Sequence, residues 1–224
     1  MSALQERWFP EDPPFSPRRL RKHALADELR ALVADLLMLD VEAVTEEQLG
    51  EVEQRIALAR KAFAGLPDVR ECGLHFSRDD SSLFERSPLS GRSNALAAPL
   101  VLEFDGPLMR GHATYGEAYE GPPGLVHGGH VIAAFDDLLG VAQASSGVAG
   151  MTGTLEVKLR GGTPLHRRID YEAGVVEQVG RKVVAWGKSY LDGRLLAEAT
   201  GIFIEPRGGH PGLPRRDEGA DRPL

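Results

Sequence analysis

One cysteine, Cys72, stands among the 224 residues of the chain. A lone thiol excludes an intramolecular disulfide framework and any cysteine-only zinc cage. Long apolar runs are missing too. No stretch approaches the roughly 18 consecutive apolar residues that a membrane-spanning helix needs. Residues 1–14 have no apolar core and carry Glu6, Glu11 and Asp12, unlike a secretory signal, so the expected compartment is the cytoplasm. Positive charge is also short. Against 33 Asp+Glu stand 26 Lys+Arg, a formal net charge of -7. General nucleic-acid binders normally show a basic footprint, so no nucleic-acid partner is expected. The 42% hydrophobic content is that of an ordinary globular protein.

What is present is unevenly spread. Residues 101–150 hold one basic group against six acidic ones, whereas residues 151–194 hold eight against five. Residues 1–17 are proline-rich and expected to be extended. Leu25, Leu29, Leu32, Val33, Leu36 and Leu37 then recur at spacings of three and four, which predicts a helix with one apolar stripe. Thr45 followed by Gln48 is a capping-box signature. A second helix, with Leu49, Val52, Ile56, Ala59 and Phe63 to one side, runs to about Leu66, where Pro67 stops it. Together they predict a helical hairpin whose stripe is buried on something else. Residues 67–100 read as irregular.

From Leu100 the pattern changes to strands, at 100–104 and 109–119, with Met109, Gly111, Ala113 and Tyr115 on one side. A helix is predicted over 129–144. Four strand-like runs follow, at 152–160, 169–179, 182–191 and 195–205, the last three separated by Gly180 and Gly193 turn signals. One apolar helix followed by an antiparallel meander predicts an α+β fold, a sheet wrapped around a central helix. The expected layout is an N-terminal extension over 1–99, one domain over 100–206 and a disordered tail over 207–224.

On a wheel of about 100° per residue, Val131, Ile132, Phe135, Leu138, Leu139 and Ala142 share the core face of the central helix. Asp136 falls at the edge of that stripe, beside the small residues Gly129, Ala133 and Gly140, and is a candidate catalytic carboxylate. Asp137 falls opposite and reads as a solvated charge. His127, Gly128 and Gly129 open the helix. The first amides of a helix lack internal partners, and glycines let a ligand approach them closely, so this end can polarise a carbonyl or can simply be a tight turn. Gly128 and Asp136 lie eight residues apart, about 12 Å along the axis. Both can serve one carbonyl only if a second copy of the helix runs antiparallel to the first, which predicts a dimer with two equivalent sites.

The run from Gly121 through His127-Gly128-Gly129, Asp136 nine positions after His127, then Leu139-Gly140, Met151-Thr152, Thr163-Pro164-Leu165, Gly180-Arg181-Lys182 and residues 197–200 resembles hotdog-fold acyl-CoA thioesterases. The subgroup is the phenylacetate-degradation type and the thioesterase superfamily members, and the likeness spans residues 100–206. The resemblance implies a hydrolase of lipid metabolism, acting on acyl-CoA as a homodimer or a dimer of dimers. It implies Asp136 as nucleophile or general base, the Gly128 amide as carbonyl polariser with His127 beside it, and Thr152 near the reacting water. It places Gly129, Lys158, Arg160, Arg181 and Lys182 toward coenzyme A. No cofactor and no metal are called for. Residues 160–164 depart from the family, two glycines standing where relatives often have a basic residue and a proline.

Alternation puts Thr152, Thr154, Glu156, Lys158 and Arg160 on one face of their strand. From Thr152 to Arg160 is about 26 Å, a reach from a thioester toward coenzyme A phosphates. A non-catalytic acyl-CoA binding module on the same fold is the rival reading. His127 and His130 at i, i+3 lack a third metal ligand at suitable spacing, and Cys72 reads as a packed residue.

Overall fold

The computed structural model describes residues 15–69, 83–98 and 100–207. The expectations for residues 1–14, for Cys72 and for the tail beyond Arg207 lie outside them. Two helices come first, α1 (Pro17–Leu37) and α2 (Glu46–Ala62), then a single turn, α3 (Leu83–Arg86). The strands are β1 (Val101–Asp105), β2 (Leu108–Thr114), β3 (Met151–Leu159), β4 (Arg168–Val179), β5 (Lys182–Leu191) and β6 (Arg194–Ile204). Between β2 and β3 runs the central helix α4 (Gly128–Ala142). The strand predicted over 109–119 stops at Thr114, and its last residues form a 3-10 turn, Glu117–Tyr119.

All six strands pair antiparallel in the order β1-β2-β4-β5-β6-β3. The sheet wraps α4, the hotdog arrangement. Val131, Phe135, Leu138 and Leu139 of the helix are buried against Met109, Ala113, Ile169, Ala185 and Phe203 of the strands. Asp192 and Gly193 both have positive φ, as a two-residue hairpin between right-twisted strands requires. Ile132 departs from the wheel expectation: it is 42% exposed. The sheet covers the opposite side of α4 and leaves Gly129, Ile132, Ala133, Asp136 and Gly140 on a flank that is only partly covered. β3, beside that flank, is an edge strand of the sheet.

The N-terminal helices form for the expected local reasons. Ser16 caps α1, with Pro17 in its first turn, and Thr45 and Gln48 make the capping box of α2. Their packing is not as expected. Leu25, Leu29, Leu32 and Leu36 are exposed, and α2 buries no residue. A different face of α1, about 120° round from the leucines, is the one that docks, through Arg19, His23, Ala26 and Arg30. His23 Nε2 and Ser93 Oγ meet Glu85 Oε2 at 2.8 and 2.6 Å, and Arg19 Nε lies 3.4 Å from Oε1. Burial alone pushes the Glu85 carboxyl upward, but Ser93, His23 and Arg19 together hold it below the usual range. A buried, multiply bonded carboxylate thus overrides the amphipathic stripe, because leaving it unpaired is costly. No helix among the described residues is long and apolar enough to cross a membrane.

Candidate active site

His127 is the N-cap of α4, and its Nδ1 accepts the Gly129 N–H at 3.0 Å. The N–H groups of His130 and Val131 go to the His127 carbonyl at 2.9 and 3.3 Å. His127 itself donates its N–H to the Tyr119 carbonyl at 2.8 Å. Among the described residues only the Gly128 N–H in this turn has no hydrogen-bond partner. It sits at the positive end of the helix dipole, where an oxyanion is favoured. The sequence treats Gly128 and Gly129 alike; the cap separates them. Gly128 opens into a cavity of about 330 Å³ walled by Pro122, Leu125, Val131, Leu159 and Arg160.

Asp136 lies two turns further along α4. Thr152 Oγ1 donates to its Oδ1 at 2.9 Å, while Oδ2 carries no hydrogen bond among the described residues. The geometry that brings Thr152 there is a β-bulge. In the β3–β6 ladder Thr152 faces Phe203 and Thr154 faces Ile202, so Gly153 is an extra residue. The bulge turns Thr152 onto the inner face with Leu155, Val157 and Leu159, toward the helix. Lys158 stays on the outer face. Strict alternation from Thr152 to Lys158 and Arg160 therefore fails at Gly153, as bulges near functional sites commonly re-aim a side chain.

Asp137 is not a solvated charge. Its Oδ2 is shielded from solvent and has no hydrogen-bond partner among the described residues. Burial chiefly, with the neighbouring Asp136 charge, holds its carboxyl above the usual range, while the Ser90 and Ser87 hydroxyls partly offset this. The cause is the segment carrying Ser87 and Ser90, which covers that side of the helix and which no periodicity in the sequence reveals.

The predicted cations do not form one cluster. Arg160 pairs with Glu198 across the edge of the sheet, beside the Gly128 cavity. Lys158 lies 3.3 Å from Glu156. Arg181 Nη1 donates to the Glu205 carbonyl at 2.6 Å, and Lys182 lies 3.8 Å from Glu177. Arg160 bonds opposite Leu196 while Lys182 pairs with Ile204, so eight residues of β6, about 26 Å, separate the two ends. Arg181 and Lys182 share the Thr152 end of the sheet; Arg160 shares the Gly128 end. Among the described residues no group of three His, Cys, Asp or Glu side chains is placed to hold a metal.

No family model matches the chain, and no curated protein matches it. Solved structures do. The crystal structure of a thioesterase superfamily protein is 31% identical with a TM-score of 0.67, over 86% of this chain and 97% of that one. Residues 100–206 are about half of the chain, so this likeness extends into the N-terminal arm. A hypothetical thioesterase from Streptococcus pneumoniae TIGR4, crystallised with coenzyme A, is 20% identical over 47% of this chain and 87% of that one, with a TM-score of 0.44. Zebra fish thioesterase superfamily member 2 is 16% identical over 55% of this chain and 92% of that one, with a TM-score of 0.48. With the helix, sheet order and capped glycine turn in place, and 31% identity across nearly the whole of its relative, the chain belongs to the thioesterase superfamily.

Proposed function

We propose that the chain hydrolyses acyl-CoA thioesters at two sites, each built from two protomers of a homodimer. The observation that carries this is the division of the chemistry along α4. Gly128 keeps a free amide at one end, and Asp136 is held by Thr152 about 12 Å away at the other. One copy cannot bring both to one carbonyl. Two antiparallel copies can, and the partly covered flank at Gly129, Ile132 and Gly140 beside the β3 edge is the surface such a pair would cover.

In this reading the thioester carbonyl accepts the Gly128 N–H of one protomer. Asp136 of the other takes a proton from water as that water adds to the carbonyl carbon. Thr152 fixes Oδ1, so Oδ2 faces the water. The oxyanion that develops is stabilised by the Gly128 amide and the helix end. Collapse of the tetrahedral species breaks the carbon–sulfur bond, and the proton held on Asp136 passes to the departing thiolate, so that coenzyme A thiol and the acid are released and the carboxylate is restored. Antiparallel pairing also brings the Arg181–Lys182 end of one protomer beside the Arg160 end of the other, where a phosphate-bearing thiol arm gains charge-assisted hydrogen bonds.

The test is a panel of acyl-CoA thioesters with a thiol-reactive dye, run on the wild type and on Asp136→Asn. Wild-type thiol release that Asp136→Asn abolishes, with ligand binding retained, is the expected result. Binding without release across short, long and aromatic acyl groups would replace this reading with a non-catalytic acyl-CoA module.

A further inference from the structure

Two cavities flank the first turn of α4. One is the cavity into which Gly128 opens. The other, of about 350 Å³, lies on the far side of the turn beneath α1. Its walls are Ala31, Ala34 and Leu37 of α1, Leu96, Ala118 and Tyr119, with His130 of α4 among them. His130 follows Gly128 by two residues, about 3 Å along the axis and some 200° around it. Its ring packs edge-on against Tyr119 at 5.2 Å and stands 6.3 Å from the His127 ring. The first turn of α4 thus contributes Gly128 to one chamber and His130 to the other.

The chambers differ in chemistry. The first combines apolar walls, Pro122, Leu125, Val131 and Leu159, with backbone at Gly161 and Gly162 and with Arg160, which is paired with Glu198. The second is lined mostly by apolar side chains, and its charged wall residues are already engaged. Arg30 is bound to Asp27 and to the carbonyls of Ala97 and Asn94, and Glu117 lies 3.1 Å from His166. Burial chiefly, and His127 beside it, hold the His130 imidazole below its usual range, which disfavours its charged form. A thioester has two arms, one polar and phosphate-bearing, the other an acyl group. The chamber with a cation at its wall suits the phosphate-bearing arm, and the one lined by the alanines and leucines of α1 and the 95–96 segment suits the acyl group.

We infer that the cavity beneath α1 is the acyl pocket, and that the N-terminal arm sets acyl-chain length. This rests on the acyl-CoA reading above. At roughly 30 Å³ per water-sized group the cavity takes up to about twelve non-hydrogen atoms, room for a phenylacetyl or an octanoyl-to-decanoyl group of about nine to eleven, and it lies in the size range of small-ligand sites. The buried His23–Glu85–Ser93 contacts that dock α1 are then what holds the pocket roof in place.

The experiment compares acetyl-, octanoyl- and phenylacetyl-CoA on the wild type and on Ala34→Trp, which fills the cavity from its roof. The expected result is a loss of at least about tenfold in kcat/KM for the two larger substrates with acetyl-CoA turnover unchanged. Ala31→Trp, from a more exposed position on the same wall, gives the same readout should Ala34→Trp fail to fold. A uniform change across the three substrates in the folded variant, or none, overturns the inference. The same three thioesters are also titrated calorimetrically into Asp136→Asn with and without the Trp substitution. If the wild type hydrolyses none of them, the catalytic reading fails, while a selective loss of octanoyl-CoA affinity in the Trp variant still upholds the pocket. Equal affinities with and without Trp overturn it.

Discussion

Gly128→Pro removes one hydrogen atom that matters and little else. Gly128 is the first residue of α4, the position where proline is best tolerated in a helix, since its missing N–H would have had no helical partner. His127 has φ -58 and ψ 131, inside the extended region that a residue before proline adopts. A Cβ at position 128 meets only the Leu159 Cδ1 at 3.4 Å, an ordinary contact. The His127 cap on Gly129 and the core face of α4 are untouched. What is lost is the one uncommitted amide of the turn. Loss of a single oxyanion donor costs about 10²–10³ in kcat, or roughly 2.7–4 kcal/mol of transition-state stabilisation. Gly128→Ala is the control: it adds the same Cβ and keeps the N–H. Steady-state thiol release should fall two to three orders of magnitude in Gly128→Pro and less than about threefold in Gly128→Ala, with melting temperatures of both close to wild type. Equal turnover in the two variants would refute the role given to this amide.

Two other outcomes follow from the site. Thr152→Val deletes the donor to Asp136 Oδ1, a hydrogen bond to a charged group worth about 1.5–3 kcal/mol. As a positioning residue its loss should lower kcat about 10- to 100-fold with KM little changed, while Thr152→Ser restores kcat; a change in KM alone would contradict this. Asp137 gives a stability signature. Its folded-state carboxyl titrates above that of an unfolded Asp, so its contribution is fully present below about pH 4 and is lost as pH rises through the folded value. Asp137→Asn should abolish that fall and raise the melting temperature at neutral pH; melting curves that run parallel for variant and wild type across this range would show that burial does not raise the Asp137 carboxyl.

Much of the architecture is legible in the chain. The spacing of Val131, Phe135, Leu138 and Leu139 marks the helix that the sheet wraps, and the Gly180 and Gly193 turns mark the meander. The wheel also puts Asp136 beside small residues on the flank that stays open. Four features escape such reading, each for a physical reason. A bulge is one extra residue in a ladder, defined by its partner strand, so nothing within 151–159 announces that Gly153 turns Thr152 inward. The fate of Asp137 depends on Ser87 and Ser90, some fifty residues away and without periodicity. The α1 stripe of leucines is stronger locally than the row Arg19, His23, Ala26, Arg30, yet the latter docks because Glu85 supplies partners that the leucines do not have. Separating Gly128 from Gly129 likewise needed the His127 ring position, which no composition carries.

The central claim is that one protomer supplies the amide and the other the carboxylate. Protomers carrying Asp136→Asn and protomers carrying Gly128→Pro, each inactive as homodimers, are mixed in equal amounts, unfolded together and refolded. In a mixed dimer one site then unites an intact Gly128 with an intact Asp136, and the other site holds both defects. With random pairing about a quarter of the wild-type activity per protomer should return. If Gly128 and Asp136 instead served one carbonyl within a single protomer, every site in the mixture would keep a defect, and no activity above that of the separate variants would appear.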